Sequence, residues 1–185
     1  MSVAGFVLTG GHSSRMGRDK AMLPYGDGTL VEWVAGVARD AAGVVYLVGA
    51  PERYVHLGLS CLPERYPDCG PLSGIEAALR QGYNWNLILA CDMPRLDVGW
   101  LQRMVRCAIE GEKPAVAAAH GGGRVEPLCA VYHAGLQPVF AAALEQGRYS
   151  VRKLLDTIDF TRFPVDDEEY VANLNTSDEW ARWSQ

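Results

Sequence analysis

Residues 3–20 read VAGFVLTGGHSSRMGRDK, a short apolar run followed directly by three glycines and three cations. The run Val3–Leu8 lacks polar alternation, as expected of a strand covered on both faces. Glycines just beyond a strand accept positive φ and let backbone N–H groups converge on an anion without interference from Cβ. In an open α/β sheet, ligands sit beyond the carboxyl ends of the strands, where this loop falls. A triphosphate brings about four negative charges, and at an effective dielectric near ~20 each close cation is worth a few kcal/mol. Arg15 suits a bidentate grip on phosphate oxygens, and Lys20 suits a point charge. The spacing fits neither a Walker A loop nor the G-x-G-x-x-G dinucleotide fingerprint.

Outward from this loop, apolar runs recur at VVYLVG (44–49), NLILAC (86–91), PAVAAA (114–119) and LCAVYH (128–133). Between them lie stretches with helical period. Leu101, Met104, Val105, Ala108 and Ile109 form one stripe in 97–110, and Leu136, Val139, Phe140, Ala143 and Leu144 repeat it in 134–146. Val151, Leu154, Leu155 and Ile158 predict a further helix over 150–158, with Ser150 as its N-cap. The turn HGGGR (120–124) between two apolar runs predicts a hairpin and hence one antiparallel element. Alternating strands and helices predict a three-layer, Rossmann-like α/β sandwich with a mostly parallel, mixed central sheet. With no linker or repeat, the expectation is one domain spanning 1–185.

A net charge of −5 argues against a nucleic-acid sheath, so any phosphate site is local. The five cysteines form no C-x-x-C pair and predict buried, reduced thiols rather than a zinc site. The N-terminal apolar run is too short for a secretory leader or a membrane span, so the expected location is cytoplasmic. No Ser-His-Asp or Cys-His arrangement stands out.

LTGGHSSRMGRDK resembles the signature L-A-G-G-x-S-x-R-M-G-x-D-K of the molybdenum cofactor guanylyltransferases, within the wider nucleotidyltransferase superfamily; Thr9 replaces the usual alanine. YPDCGPLSGIEAAL (66–79) is similar to the family's D-x-x-x-G-P-L-x-G segment, with Asp68 closer to Gly70 than in some members. LACDMPRL (89–96) resembles its C-D-x-P motif, and EPLCAVYH (126–133), GRYSVRKLL (147–155) and NLNTSDEW (173–180) resemble later blocks.

The resemblance implies transfer of GMP from GTP to the terminal phosphate of molybdenum-bound molybdopterin with release of pyrophosphate. It also implies a molybdoenzyme or cofactor-insertion protein as onward partner, and a nucleotide-binding half of about 1–95 preceding an acceptor-binding half of about 96–185. Asp92, just past an apolar strand, is the expected Mg²⁺ ligand. Arg15 and Lys20 are expected to neutralise the phosphates in the transition state. Leu8, Thr9, Gly10 and Gly11 are expected beneath the base and ribose, with Asp68 also binding nucleotide. Asp19 is expected to position Lys20 or the loop rather than to ligate. Asn173 and Asn175 are the expected acceptor contacts, although Asn175 and Thr176 equally suit capping of a last helix. The Gly10-Gly11 pair resembles the guanylyl branch, where cytidylyl relatives show Ala-Gly. A cytidylyltransferase, a sugar-phosphate nucleotidyltransferase and a non-catalytic molybdenum cofactor carrier stand as alternatives.

Overall fold

A computed structural model describes residues 1–9 and 19–174. The strands are β1 (Val3–Leu8), β2 (Pro24–Tyr25), β3 (Gly28–Thr29), β4 (Val45–Gly49), β5 (Cys61–Pro63), β6 (Trp85–Ala90), β7 (Ala115–Ala119), β8 (Val125–His133) and β9 (Thr161–Pro164). The helices are α1 (Leu30–Ala42), α2 (Pro51–Tyr54), α3 (Pro71–Leu79), α4 (Val98–Glu110), α5 (Gln137–Glu145) and α6 (Val151–Leu155). Seven strands form one sheet in the order β5-β4-β1-β6-β8-β7-β9, and β2 pairs with β3 in a separate small hairpin. Only β8 runs against its neighbours β6 and β7; the other ladders of the large sheet are parallel. The expected mixed, mostly parallel sheet is therefore present, and its antiparallel element is the hairpin around residues 120–124.

Alternate residues of the central strands face opposite cores. Val7, Leu87 and Leu89 pack with Val31, Val34, Trp100, Leu101 and Met104 of α1 and α4. Phe6 and Ile88 pack with Leu72, Ile75, Phe140 and Leu154 of α3, α5 and α6. Every residue of β6 is buried, which explains its unbroken apolar character apart from Asn86. The Asn86 amide donates to the carbonyls of Tyr83 and Tyr132 at 3.3 and 3.2 Å. Gly5 lets α1 approach the sheet: a Cβ there would lie 3.1 Å from the Ala38 side chain.

Helix α1 begins with a capping box, Thr29 accepting from the Glu32 amide while the Glu32 carboxylate accepts from Thr29. Helix α6 is shorter than the expected 150–158. Beyond Leu155 the chain tightens into turns in which the Thr157 and Ile158 amides donate to Leu154 and Leu155, both at 3.0 Å. The register between β7 and β8 slips between Ala117 and Ala118, so that Ala117 faces Ala130 but Ala118 faces Glu126. Pro127, which has no N–H for a ladder, lies in the looped-out stretch. Among the described residues, no helix is long and apolar enough to cross a membrane.

Candidate active site

The strands of the parallel half end in one place, and their ends are cross-tied. The Leu8 carbonyl accepts from the Cys91 amide at 3.3 Å, and the Thr9 amide donates to the Val48 carbonyl at 2.9 Å. The Thr9 hydroxyl donates to that same carbonyl, also at 2.9 Å. Thr9 is thus buried and fastened to β4.

Asp19 fastens the chain where the loop rejoins the described residues. Its carboxylate accepts from the Ala21 amide at 3.1 Å and the Tyr54 hydroxyl at 2.8 Å, and it pairs with Arg53 at 3.0 Å. Burial and this hydrogen bond push the Tyr54 pKa well above its ordinary value. Both Asp19 oxygens are thus engaged by protein donors.

Lys20 and Asp92 are brought together from opposite ends of the first half. The Lys20 ammonium donates to the Leu174 carbonyl at 3.0 Å, and the Leu174 amide donates to the Asp92 carbonyl at 2.9 Å. One peptide unit from the far end of the described chain therefore bridges the Lys20 ammonium and the Asp92 main chain. Burial pushes the Asp92 carboxyl above its usual range; the Lys20 charge opposes that rise and the Glu126 charge adds to it. Burial, reinforced by Asp92 and Asp19, also pushes the Cys91 thiol up to about 12, which leaves no thiolate nucleophile there at neutral pH.

Among the described residues, no three His, Cys, Asp or Glu side chains gather as metal ligands. Asp92 contributes a single hard oxygen donor, a set suited to an ion completed by phosphate oxygens and water rather than to zinc.

A family model described as a MobA-like NTP transferase domain matches residues 5–161. The chain belongs to this family. A relative from Nostoc named "Probable molybdenum cofactor guanylyltransferase" is 34% identical over 97% of this chain and 89% of its own length. One from Carboxydothermus hydrogenoformans with the same name is 34% identical over 92% of this chain and 89% of its own length. Among solved structures, molybdopterin-guanine dinucleotide biosynthesis protein A from Archaeoglobus fulgidus superposes with a TM-score of 0.84 at 24% identity, covering 100% of this chain and 97% of its own. A manganese complex of Rv0371c from Mycobacterium tuberculosis superposes with a TM-score of 0.75 at 20% identity, covering 100% and 98%. The three-layer architecture is thus that of a MobA-like transferase.

The remaining expected site residues of this family member divide into two groups. Gly10, Gly11, Arg15 and Asn175 lie outside the described residues. Leu8 is buried at the mouth of the site, while Asn173 is exposed beside the bridging Leu174. Asp68 is exposed and adopts φ +61°, in the turn that leads to Gly70 and α3.

Glu64 is an acid that the sequence motifs do not single out. It follows directly on β5, and its carboxylate and the Leu8 side chain flank Gly74. A Cβ at Gly74 would lie 2.9 Å from Leu8 and 3.3 Å from Glu64. Burial pushes the Glu64 carboxyl up, the Ser73 hydroxyl opposes this, and the Asp68 charge adds to it. The signal that could have found Glu64 is its position immediately beyond a strand's carboxyl end, the same criterion that selects Asp92.

Proposed function

We propose that this chain transfers GMP from GTP to the terminal phosphate of molybdenum-bound molybdopterin, releasing pyrophosphate, in the cytoplasm. The observation that carries the proposal is the Lys20–Leu174–Asp92 bridge at the ends of β1 and β6. It ties the Lys20 ammonium to the main chain of Asp92, whose carboxylate is largely withdrawn from water and feels the Lys20 charge.

The attacking phosphate monoester has a second pKa near ~6 and is largely dianionic at neutral pH, so no side-chain base is needed. What the site must supply is alignment and charge neutralisation. Lys20 places its ammonium against the phosphates while its bond to Leu174 limits where that ammonium can reach. Arg15 holds the departing β- and γ-phosphates. Leu8, Thr9, Gly10 and Gly11 underlie the nucleoside, with Glu64 and Asp68 bordering it on the β5 side. Asn173 and Asn175 present amides to the pterin.

Asp92 is the residue that would hold Mg²⁺, and its lone hard donor fits that ion; when bound, the ion supplies charge neutralisation on the triphosphate. The manganese found with the Mycobacterium tuberculosis fold relative is consistent with such a divalent ion. Residues up to about 95 form the nucleotide half, and those beyond it form the acceptor half of one domain.

Pyrophosphate release is expected only when GTP, Mg²⁺ and the molybdenum-bound pterin are supplied together. Faster turnover with CTP would reassign the base, and turnover with sugar phosphates would reassign the acceptor. Binding of all components with no pyrophosphate would make the chain a carrier.

A further inference from the structure

The turn that carries Asp92 is held from a second direction. Its Pro94 carbonyl accepts two side-chain hydrogen bonds, from the Trp33 indole N–H at 2.9 Å and from the Tyr25 hydroxyl at 3.3 Å. The two rings lie 5.4 Å apart, inclined at 53°. Tyr25 belongs to the β2–β3 hairpin, five residues after Lys20, and Trp33 lies in the first turns of α1. Trp33 is 47% exposed, unusual for an indole that serves only as packing, yet its N–H is engaged. Met93 and Pro94 themselves are buried.

A carbonyl oxygen can accept two hydrogen bonds, and the Pro94–Arg95 peptide, two residues beyond Asp92, is held by two independent donors. On its other side, the Asp92 carbonyl accepts from Leu174. The turn is therefore gripped by the acceptor-side strap at Asp92 and by the nucleotide-side aromatic pair at Pro94. Burial makes an unpaired Pro94 carbonyl costly, so loss of the donors would let the turn shift to find a partner.

We propose that Tyr25 and Trp33 are positioning residues for Asp92. Their joint donation to Pro94 fixes the bearing of the carboxylate, so that it meets a nucleotide-bound divalent ion without reorganising. This inference rests on the assignment of Asp92 as the ligand of that ion. Preorganisation of this kind acts on the gain in nucleotide affinity that the ion confers, and not on nucleotide affinity in its absence.

The experiment measures GTP affinity by calorimetry in excess Mg²⁺ and in chelator, and takes the ratio for the full-length chain and its variants. Trp33→Phe keeps the ring and removes the donor; Tyr25→Phe does the same for the hydroxyl. The ratio is expected to shrink roughly threefold to tenfold in Trp33→Phe, about the worth of one hydrogen bond. It should shrink less in Tyr25→Phe and most in the double variant, with affinity in chelator unchanged throughout. A lowered melting temperature with an unchanged ratio in both Trp33→Phe and the double variant would make the pair merely structural and overturn the proposal.

Asp92→Ala separates the two levels of inference. If it abolishes the Mg²⁺ gain while the phenylalanine variants keep it, Asp92 stands and the positioning role falls. If Asp92→Ala keeps the gain, the ligand assignment itself falls and takes the positioning role with it.

Discussion

The two ends of the sheet's active edge handle charge in opposite ways. On the parallel side, the ends of β1, β4 and β6 are fixed by backbone and hydroxyl hydrogen bonds, and Asp92 lies where burial outweighs the pull of Lys20. On the antiparallel side, at the β7–β8 hairpin, the charged groups are satisfied by one another. His120, nearly enclosed, contacts the carboxylates of both Glu126 and Glu168, and Arg124 bonds to His120 at 2.9 Å and to Glu126 at 3.1 Å. The first region holds charge out of water, as the proposed binding of a divalent ion and a triphosphate would require. The second is a set of mutual ion pairs that ties the hairpin to the strap leading to Leu174, and it reaches Asp92 only through the charge of Glu126.

The contrast fails most visibly if Asp92 proves dispensable. Asp92→Ala is expected to lower turnover on the order of 10³-fold or more, with the fold retained by circular dichroism. Next comes Lys20→Ala, for which a loss of about 10²-fold in kcat is expected, by analogy with removal of one charge-stabilising donor. Wild-type kinetics in the Lys20 variant would place the charge compensation elsewhere. His120→Ala sharpens the comparison from the other side. It strips partners from Glu126 and Glu168 and should cost about 1–3 kcal/mol of stability in denaturant unfolding. Its effect on kcat should stay below about tenfold, because the network acts through the strap and not on phosphate. A kcat loss in His120→Ala equal to that of Lys20→Ala would erase the distinction between the two regions.

Much of the parallel side was legible in sequence because chemistry there follows strand ends. Val3–Leu8 and, apart from Asn86, Trp85–Ala90 are apolar, being covered on both faces, so the place of Asp92 beyond β6 followed from where the apolar run stops. The β7–β8 hairpin was legible from its glycines, and Gly123 does adopt φ +81°. Strands β5 and β9 were not, since three- and four-residue edge strands with half-exposed side chains carry no apolar run to detect. Nor did sequence single out α1, although Thr29 and Glu32 have capping-box spacing. The Lys20–Leu174 contact spans 154 positions and uses a backbone carbonyl, which leaves no trace in residue type. The grip of Tyr25 and Trp33 on Pro94 is equally silent, because its acceptor is again main chain.

The smallest expected effect tests why the parallel side is built around an unfavourable charge. Burial raises the Asp92 pKa in the folded chain above its unfolded value, so the folded state holds that proton more tightly. The stability due to the bound proton is fully present below the unfolded pKa and is lost as pH rises through the folded one. At neutral pH the ionised carboxylate is therefore a net cost to the ligand-free fold. Asp92→Asn, a neutral isostere, should raise the melting temperature by roughly 1–3 °C near neutral pH. The gap should close as pH falls through the Asp92 range, which lies above the ordinary 3.8. GTP with Mg²⁺ should reverse the ranking, stabilising the wild type more than the asparagine variant, which gains only what GTP gives without the ion. A ligand-free variant that melts below the wild type at neutral pH would mean that attraction to Lys20 outweighs burial. The carboxylate would then be held by the protein for its own stability rather than for an incoming ion.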